Sequence, residues 1–410
     1  MIAILISFAI FTSVFSDENI LCTTKSCKDV VCPKLSEKCK AQNATHNGVF
    51  LLSPITCNCC EFCLDNLNEG EECSKGDVTD PVPKEVCGPG LVCKTNNKDS
   101  TDGVCAKMET ACTNLQKSYD ERGINGTAGT LEVRQDCTSE GEFVPYKCIP
   151  GQTCYCVNAT GHRIFGEMDF TPLADDLLKC KCSRDYTGIA VVLGRNENAT
   201  LEPLEHFRCT ANGDYDSVQC INDKCFCVDE YDGAPTYPND KLVNITDISK
   251  STLKCYKNKK AGVFYKDCEN EYIDVLKMYN KFKKNDYKKL YGFKFPKCDL
   301  DGTYQAVQEN STHKYCVDKE GHVLTSAVVD KGKDSDLAKS MDCKCARARL
   351  IITGEDKPEC MENGNYAQVQ CRKGRCRCVD SDGNQVCDDV NCEVDEKNSP
   401  PTCPDPDSSS

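Results

Sequence analysis

Tryptophan is absent from this 410-residue chain, and aromatic residues make up only 7% of it. So little aromatic bulk excludes one large core and calls for several small units. Past the first sixteen residues no run approaches eighteen apolar residues, which excludes a spanning helix there. Histidine is scarce: His46, His162, His206, His313 and His322 include no pair at the spacing of a zinc-protease helix. No Gly-x-Ser-x-Gly elbow and no phosphate loop occurs. These absences predict no catalytic constellation, no metal site and no cofactor, hence not an enzyme. Positive charge is also in deficit, with a net charge of −14, which argues against nucleic acid as a partner.

What the chain has instead is cysteine, 36 of them. Met1–Ser16 is uncharged, with an apolar run from Ile2 to Phe15 ahead of Asp17 and Glu18, and reads as a signal peptide. An even cysteine count behind such a leader predicts a secreted, extracellular chain held by disulfides. Each native bridge contributes about 2–5 kcal/mol. Six sequons, at Asn43, Asn125, Asn158, Asn198, Asn244 and Asn310, fit the same compartment. The expected architecture is a set of small disulfide-rich modules, with short antiparallel β-hairpins and occasional short helices, arranged as beads on a string.

The stretch Cys209–Asp229 organises the rest. Its cysteines are Cys209, Cys220, Cys225 and Cys227, followed by Val228 and Asp229, and Cys360–Asp380 repeats that spacing residue for residue. Cys137–Asn158 carries one extra residue before Cys154. Cys298–Asp318 lacks two cysteines, where Glu309 and Lys314 stand. Losing the third and fourth together leaves no orphan thiol, so those two bond to each other where both are present. A surface ion pair between Glu309 and Lys314 would contribute about 0–1 kcal/mol, so that loop is expected to be looser.

The repeats supply 20 candidate bridge cysteines: Cys112, Cys137, Cys148, Cys154, Cys156, Cys180, Cys182, Cys209, Cys220, Cys225, Cys227, Cys255, Cys268, Cys298, Cys316, Cys343, Cys345, Cys360, Cys371 and Cys376. Cys387, Cys392 and Cys403 compete for the last partner. Gly141, Gly213, Gly302 and Gly364 mark a turn, and Phe143, Tyr215, Tyr304 and Tyr366 start a strand. Val275, Met278, Tyr279 and Phe282 recur at helical intervals in Cys268–Lys289. Cys112–Arg122 is a second candidate helix. Thr187–Leu193 is β-branched, and Cys345–Cys360 leaves little room for a helix. Single-residue links at Lys181 and Lys344 predict two rigid pairs with a hinge at Tyr256–Asp267.

The recurring Cys-x-Cys-Val segment, with Tyr155, Phe226, Tyr315 and Arg377 at the middle position, resembles that of thyroglobulin type-1 domains. Upstream, Cys57-Asn-Cys59-Cys60-Glu-Phe-Cys63 and Cys87-Gly-Pro-Gly-Leu-Val-Cys93 lie in a twelve-cysteine region that resembles the N-terminal domain of the insulin-like growth factor binding proteins. The expected domains are a leader at 1–16, that cysteine-rich domain at 17–108, repeats at 109–181, 182–256, 257–344 and 345–392, and an acidic disordered tail at 393–410.

The repeat resemblance implies inhibition of papain-like, cathepsin L-type cysteine proteases by loops that enter the cleft. The fourth repeat has no sequon, so its loops are the first choice: Thr353–Glu359 before the second cysteine, with Lys357, Pro358 and Glu359 at its end, Arg372, Lys373, Gly374 and Arg375 between the third and fourth, and Asp380–Gln385 after the fifth. Ile221–Lys224 of the second repeat is the reserve. The N-terminal resemblance implies an insulin-like peptide partner, although Lys94–Gly103 carries no apolar residue for such a contact. Eight lysines in Lys277–Lys297 suggest a sulfated polysaccharide. A purely structural extracellular module is the remaining alternative.

Overall fold

A computed structural model describes residues 27–40, 48–51, 59–76, 81–95, 100–192, 207–221, 223–236, 242–250, 253–256, 264–284, 292–386, 393–398 and 401–403. The leader, Asn43, Asn198, Cys387, Cys392 and residues 404–410 lie outside these. Two compact units result: Met1–Glu109 with Thr138–Glu140, and Thr110–Cys137 with Gly141–Ser410.

In the first unit, β1 (Gly48–Leu51), β2 (Phe62–Leu67) and β4 (Glu85–Cys87) form one sheet. A second sheet holds β3 (Glu72–Ser74), β6 (Asp102–Lys107) and β5 (Leu91–Thr95), in that order. The adjacent Cys59 and Cys60 reach different partners, Cys27 and Cys32. Cys39–Cys63, Cys73–Cys93 and Cys87–Cys105 add three more bridges. No free cysteine occurs among the described residues of the chain.

The second unit contains four modules of one plan. Each begins with a helix whose cysteine bonds to the second: Cys112–Cys137, Cys182–Cys209, Cys268–Cys298 and Cys345–Cys360. A hairpin follows, bridged beside its turn in three of the modules by Cys148–Cys154, Cys220–Cys225 and Cys371–Cys376, each with Cα atoms 4.0 Å apart. A last bridge closes the module: Cys156–Cys180, Cys227–Cys255, Cys316–Cys343 and Cys378–Cys403. Gly161, Gly233, Gly321 and Gly383 lie against the rings of Phe143, Tyr215, Tyr304 and Tyr366, where a Cβ would fall within 3 Å of the ring. The small core of each module depends on that close approach.

Several elements differ from the sequence expectation. The second repeat begins with a helix, Lys181–Val192, because its Cys182 end packs against the first repeat and overrides the β-branched run. The fourth has a two-turn helix, Lys344–Ile351, that starts before Cys345 and so fits the short spacing. Residues 393–395 are a strand, not tail: Val394 pairs with Cys376, and the Cys378–Cys403 bridge carries the fourth repeat past 392. Glu309 and Lys314 are opposite in register. Yet the Glu309 carboxylate pairs with Lys297 and Lys331, each at 3.2 Å. The unbridged turn is held by Asn310, whose Oδ1 accepts from the backbone N–H groups of Thr312 and His313.

The one-residue links work through left-handed backbone at Cys180 and Cys343, with φ of 57° and 60°. Asp214 accepts the N–H groups of Lys179 and Cys180, and Asn365 accepts those of Asp342 and Cys343. One helix position then locks each pair. Arg184 donates to the carbonyls of Val157 and Phe143, and Arg347 to those of Val317, Tyr304 and Asp318.

The pairs do not stand apart. Of the expected hinge, residues 257–263 lie outside the described part. Beside it, Arg208 of the second repeat forms a buried ion pair with Glu269 of the third. The first and fourth repeats also share a core: Ile149, Tyr155 and Val157 pack with Ala348, Ile352, Tyr366 and Val379. Both contacts bury apolar or charged groups that neither pair covers alone.

Candidate functional site

The fourth repeat's edge is built on the hairpin Val369–Arg372 and Arg375–Cys378. Arg372 faces Arg375 in register, leaving Lys373 and Gly374 as a two-residue turn with φ of 53° and 78°. Two positive φ values in a row match the right-handed twist of the strands, and glycine makes the second inexpensive. Lys373 projects with 76% of its side chain exposed. Arg375 and Glu359 are exposed as well.

Beside the turn runs the loop before Cys360. Pro358 is fully buried, and its carbonyl accepts from Arg349 at 2.8 Å. The exposed Lys357 returns its ammonium to the Arg349 carbonyl at 3.0 Å. Asp356 pairs with Arg372 at 2.7 Å, and that hydrogen bond holds its carboxyl below the usual range.

Gln370 ties loop to hairpin. Its Nε2 donates to the carbonyls of Glu359 and Ala367, and its Oε1 accepts the Glu359 N–H at 2.8 Å. Gln219 and Gln308 make the equivalent bonds in the second and third repeats. Sequence reasoning passed over these buried glutamines. The signal was present, as Val-Gln before the third-cysteine position in three repeats. Gln370→Leu is expected to cost about 1–3 kcal/mol, since it strands buried partners. Thermal unfolding measures this, together with faster amide exchange at Glu359. Unchanged exchange there would show that the glutamine does not position the loop.

The edge is partly occupied by the first repeat. The turn Ile149–Gln152 carries that repeat's extra residue and lies on the fourth. Arg372 donates to the Pro150 carbonyl at 2.6 Å, and Gln152 donates to the Asp356 carbonyl at 3.3 Å. Tyr155 donates to Asn384 at 2.9 Å, and Leu131 N–H to Gln385 at 2.8 Å. Arg377, the charged residue where other repeats have an aromatic ring, is buried against Glu393. Of the predicted loop residues, Lys357, Lys373, Gly374, Arg375 and Glu359 therefore face outward. Pro358 serves the fold and Arg372 the contact between repeats.

In the reserve site, Ile221 is 60% exposed. Lys224 at the same turn donates to the side chain of Asn244, the sequon residue opposite it in register.

Comparison with known proteins adds the following. A family model described as thyroglobulin type-1 repeat matches residues 194–243, 268–336 and 346–397. A model described as fungal protease inhibitor matches residues 11–115. Thyroglobulin of Sus scrofa is 29% identical over 123 residues, covering 30% of this chain and 4% of that protein. Equistatin of Actinia equina is 33% identical over 99 residues, covering 22% of this chain and 42% of that protein. U24-ctenitoxin-Pn1a of Phoneutria nigriventer is 30% identical over 111 residues, covering 24% and 81%.

Proposed function

This chain belongs to the thyroglobulin type-1 repeat proteins, and on that premise we propose that it is a secreted, non-enzymatic inhibitor of papain-like, cathepsin L-type cysteine proteases. The repeat at 112–180 shares the bridge order of the three matched segments and counts as a fourth member. One observation supports the reading above others: the fourth repeat's turn and its neighbouring loop are set in place by a bridge, a buried proline and the Gln370 clamp. A loop ordered before binding loses little entropy in a cleft and resists cleavage. The outward residues Lys357, Lys373, Gly374 and Arg375 are the docking contacts. The second repeat's turn has Asn244 beside it and the third's contains Asn310, so a glycan at either would obstruct approach.

Inhibition of a cathepsin L-type enzyme by the full chain tests this. The double variant Lys357→Glu, Lys373→Glu is expected to weaken inhibition at least tenfold, because both side chains are exposed and the change reverses their charge while also removing the loop contacts of Lys357 with the Arg349 carbonyl and of Lys373 with Asp356 at 3.6 Å. A wild-type chain inactive at micromolar concentration removes the proposal.

The fungal protease inhibitor match favours a second inhibitory unit in the N-terminal region, acting on a different protease. Its five described bridges all close within that unit. Assaying the full chain against serine proteases, alongside titration with an insulin-like peptide, separates this reading from peptide-hormone binding.

A further inference from the structure

We propose that the first repeat's turn Ile149–Gln152 is an internal occupant of the fourth repeat's edge, so that this edge binds a protease less tightly until the turn is displaced. The inference rests on the docking role proposed above and concerns its regulation.

The turn exists because the first repeat has one residue more than its siblings between the third and fourth cysteines. With Cys148 bonded to Cys154, the added length forms a tight loop: Ile149 N–H donates to the Thr153 carbonyl and Gln152 N–H to the Ile149 carbonyl. Ile149 is 6% exposed and packs in the shared core beside Gly383 and Tyr366. Gly151 has φ of 70°, and a Cβ there would lie 2.5 Å from the Arg372 guanidinium. The absence of a side chain lets the turn close over Arg372. Both elements of the proposed docking edge are then engaged, Arg372 through the Pro150 carbonyl and Asp356 through Gln152.

This joint is also the one suited to opening. The first and second, second and third, and third and fourth repeats are consecutive in the chain. The first and fourth meet only through noncovalent contacts, so separating them strains no link. The contact is not fully packed, since a groove of about 930 Å³ runs between the two repeats. Several of its bonds are peripheral, such as Thr353 to Asp169 and Thr130 to Glu393. A protease cleft closing on the outward Lys357 and Lys373 meets the turn seated beside them on Arg372 and the Asp356 carbonyl, and competes with it for the same edge.

The test uses the full chain in three forms. Ile149→Ser removes the buried anchor, Gly151→Ala pushes the turn off Arg372, and Ile149→Leu keeps the anchor as a control. Arginine modification by phenylglyoxal, followed by mass mapping, reads the state of Arg372 without any protease. The two opening variants are expected to raise its reaction rate at least fivefold and to tighten inhibition of a cathepsin L-type enzyme at least tenfold, and the leucine variant to do neither. Equal Arg372 reactivity in wild type and both opening variants overturns the latch. Freed Arg372 with unchanged inhibition, in a chain that inhibits as wild type, overturns the gating and leaves the docking proposal intact. No inhibition by the wild-type chain at micromolar concentration removes the docking proposal, and the gating with it.

Discussion

Replacing Glu269 with alanine is expected to lower the stability of the four-repeat unit by about 3–5 kcal/mol, because it leaves a buried cation without its partner. Glu269 and Arg208 have 5% and 8% of their side chains exposed and join the second and third repeats. Arg208 also donates to the Phe264 carbonyl at 2.7 Å and lies 3.9 Å over that ring. Glu269 has a second task, accepting the Lys266 N–H at 2.8 Å at the start of the helix Asp267–Lys284. The melting temperature should fall by roughly 10 °C. Glu269→Gln keeps the shape and one acceptor, and should cost less. A fall below about 1 kcal/mol for the alanine variant, by chemical or thermal unfolding, would mean that the second and third repeats are not coupled through this pair.

The second large effect depends on pH. Where the four repeats converge, a cavity of about 420 Å³ is lined by Phe165, Ala211, Asp299, Lys319 and Arg347 among others. Burial and the neighbouring Asp301 push the Asp299 carboxyl up to about 7, against the opposing pull of Arg347 and Lys319. Its folded value lies above the ordinary carboxylate range, so the native state binds this proton more tightly than the unfolded chain does. That contribution is full near pH 4, is lost as pH rises through about 7, and changes little beyond. Asp216, Asp342 and Asp380, also raised by burial, act in the same direction. Wild type is therefore expected to gain about 1–3 kcal/mol from this group between pH 8 and pH 5. Asp299→Asn should remove that part of the slope and be more stable than wild type at pH 8. Parallel stability curves for the two proteins would show that Asp299 does not titrate in this window.

The modules themselves were open to reading from spacing alone. A cysteine ladder repeated in register marks the modules and joins third to fourth, and glycine two residues before an aromatic marks the turn, because these are local demands of backbone and sulfur geometry; the choice of Cys403 over Cys387 and Cys392 came only with the fold. The paired absence of cysteines at Glu309 and Lys314 was informative for the same reason. Helix boundaries were less so: the second repeat's helix runs through residues of poor helical propensity, and packing against the first repeat supplies what propensity does not. The expected ion pair at Glu309 was displaced because Lys297 and Lys331, distant along the chain, reach that carboxylate in the fold.

The candidate edge divides along the same line. Its chemistry, a Lys-Gly turn above a bridge with a proline nearby, is written in Cys345–Cys378. That Pro358 is buried, that Gln370 is a clamp and that Arg372 belongs to the contact with Pro150 are facts of tertiary placement. The one-residue insertion before Cys154 could be counted in the sequence but not interpreted. Cysteine spacing determined the individual units, because each bridge closes within about 30 residues and needs nothing beyond its own segment. Only the tertiary structure decided how those units meet, because Ile149 and Tyr366, or Arg208 and Glu269, are brought together by burial of surface that no local pattern encodes.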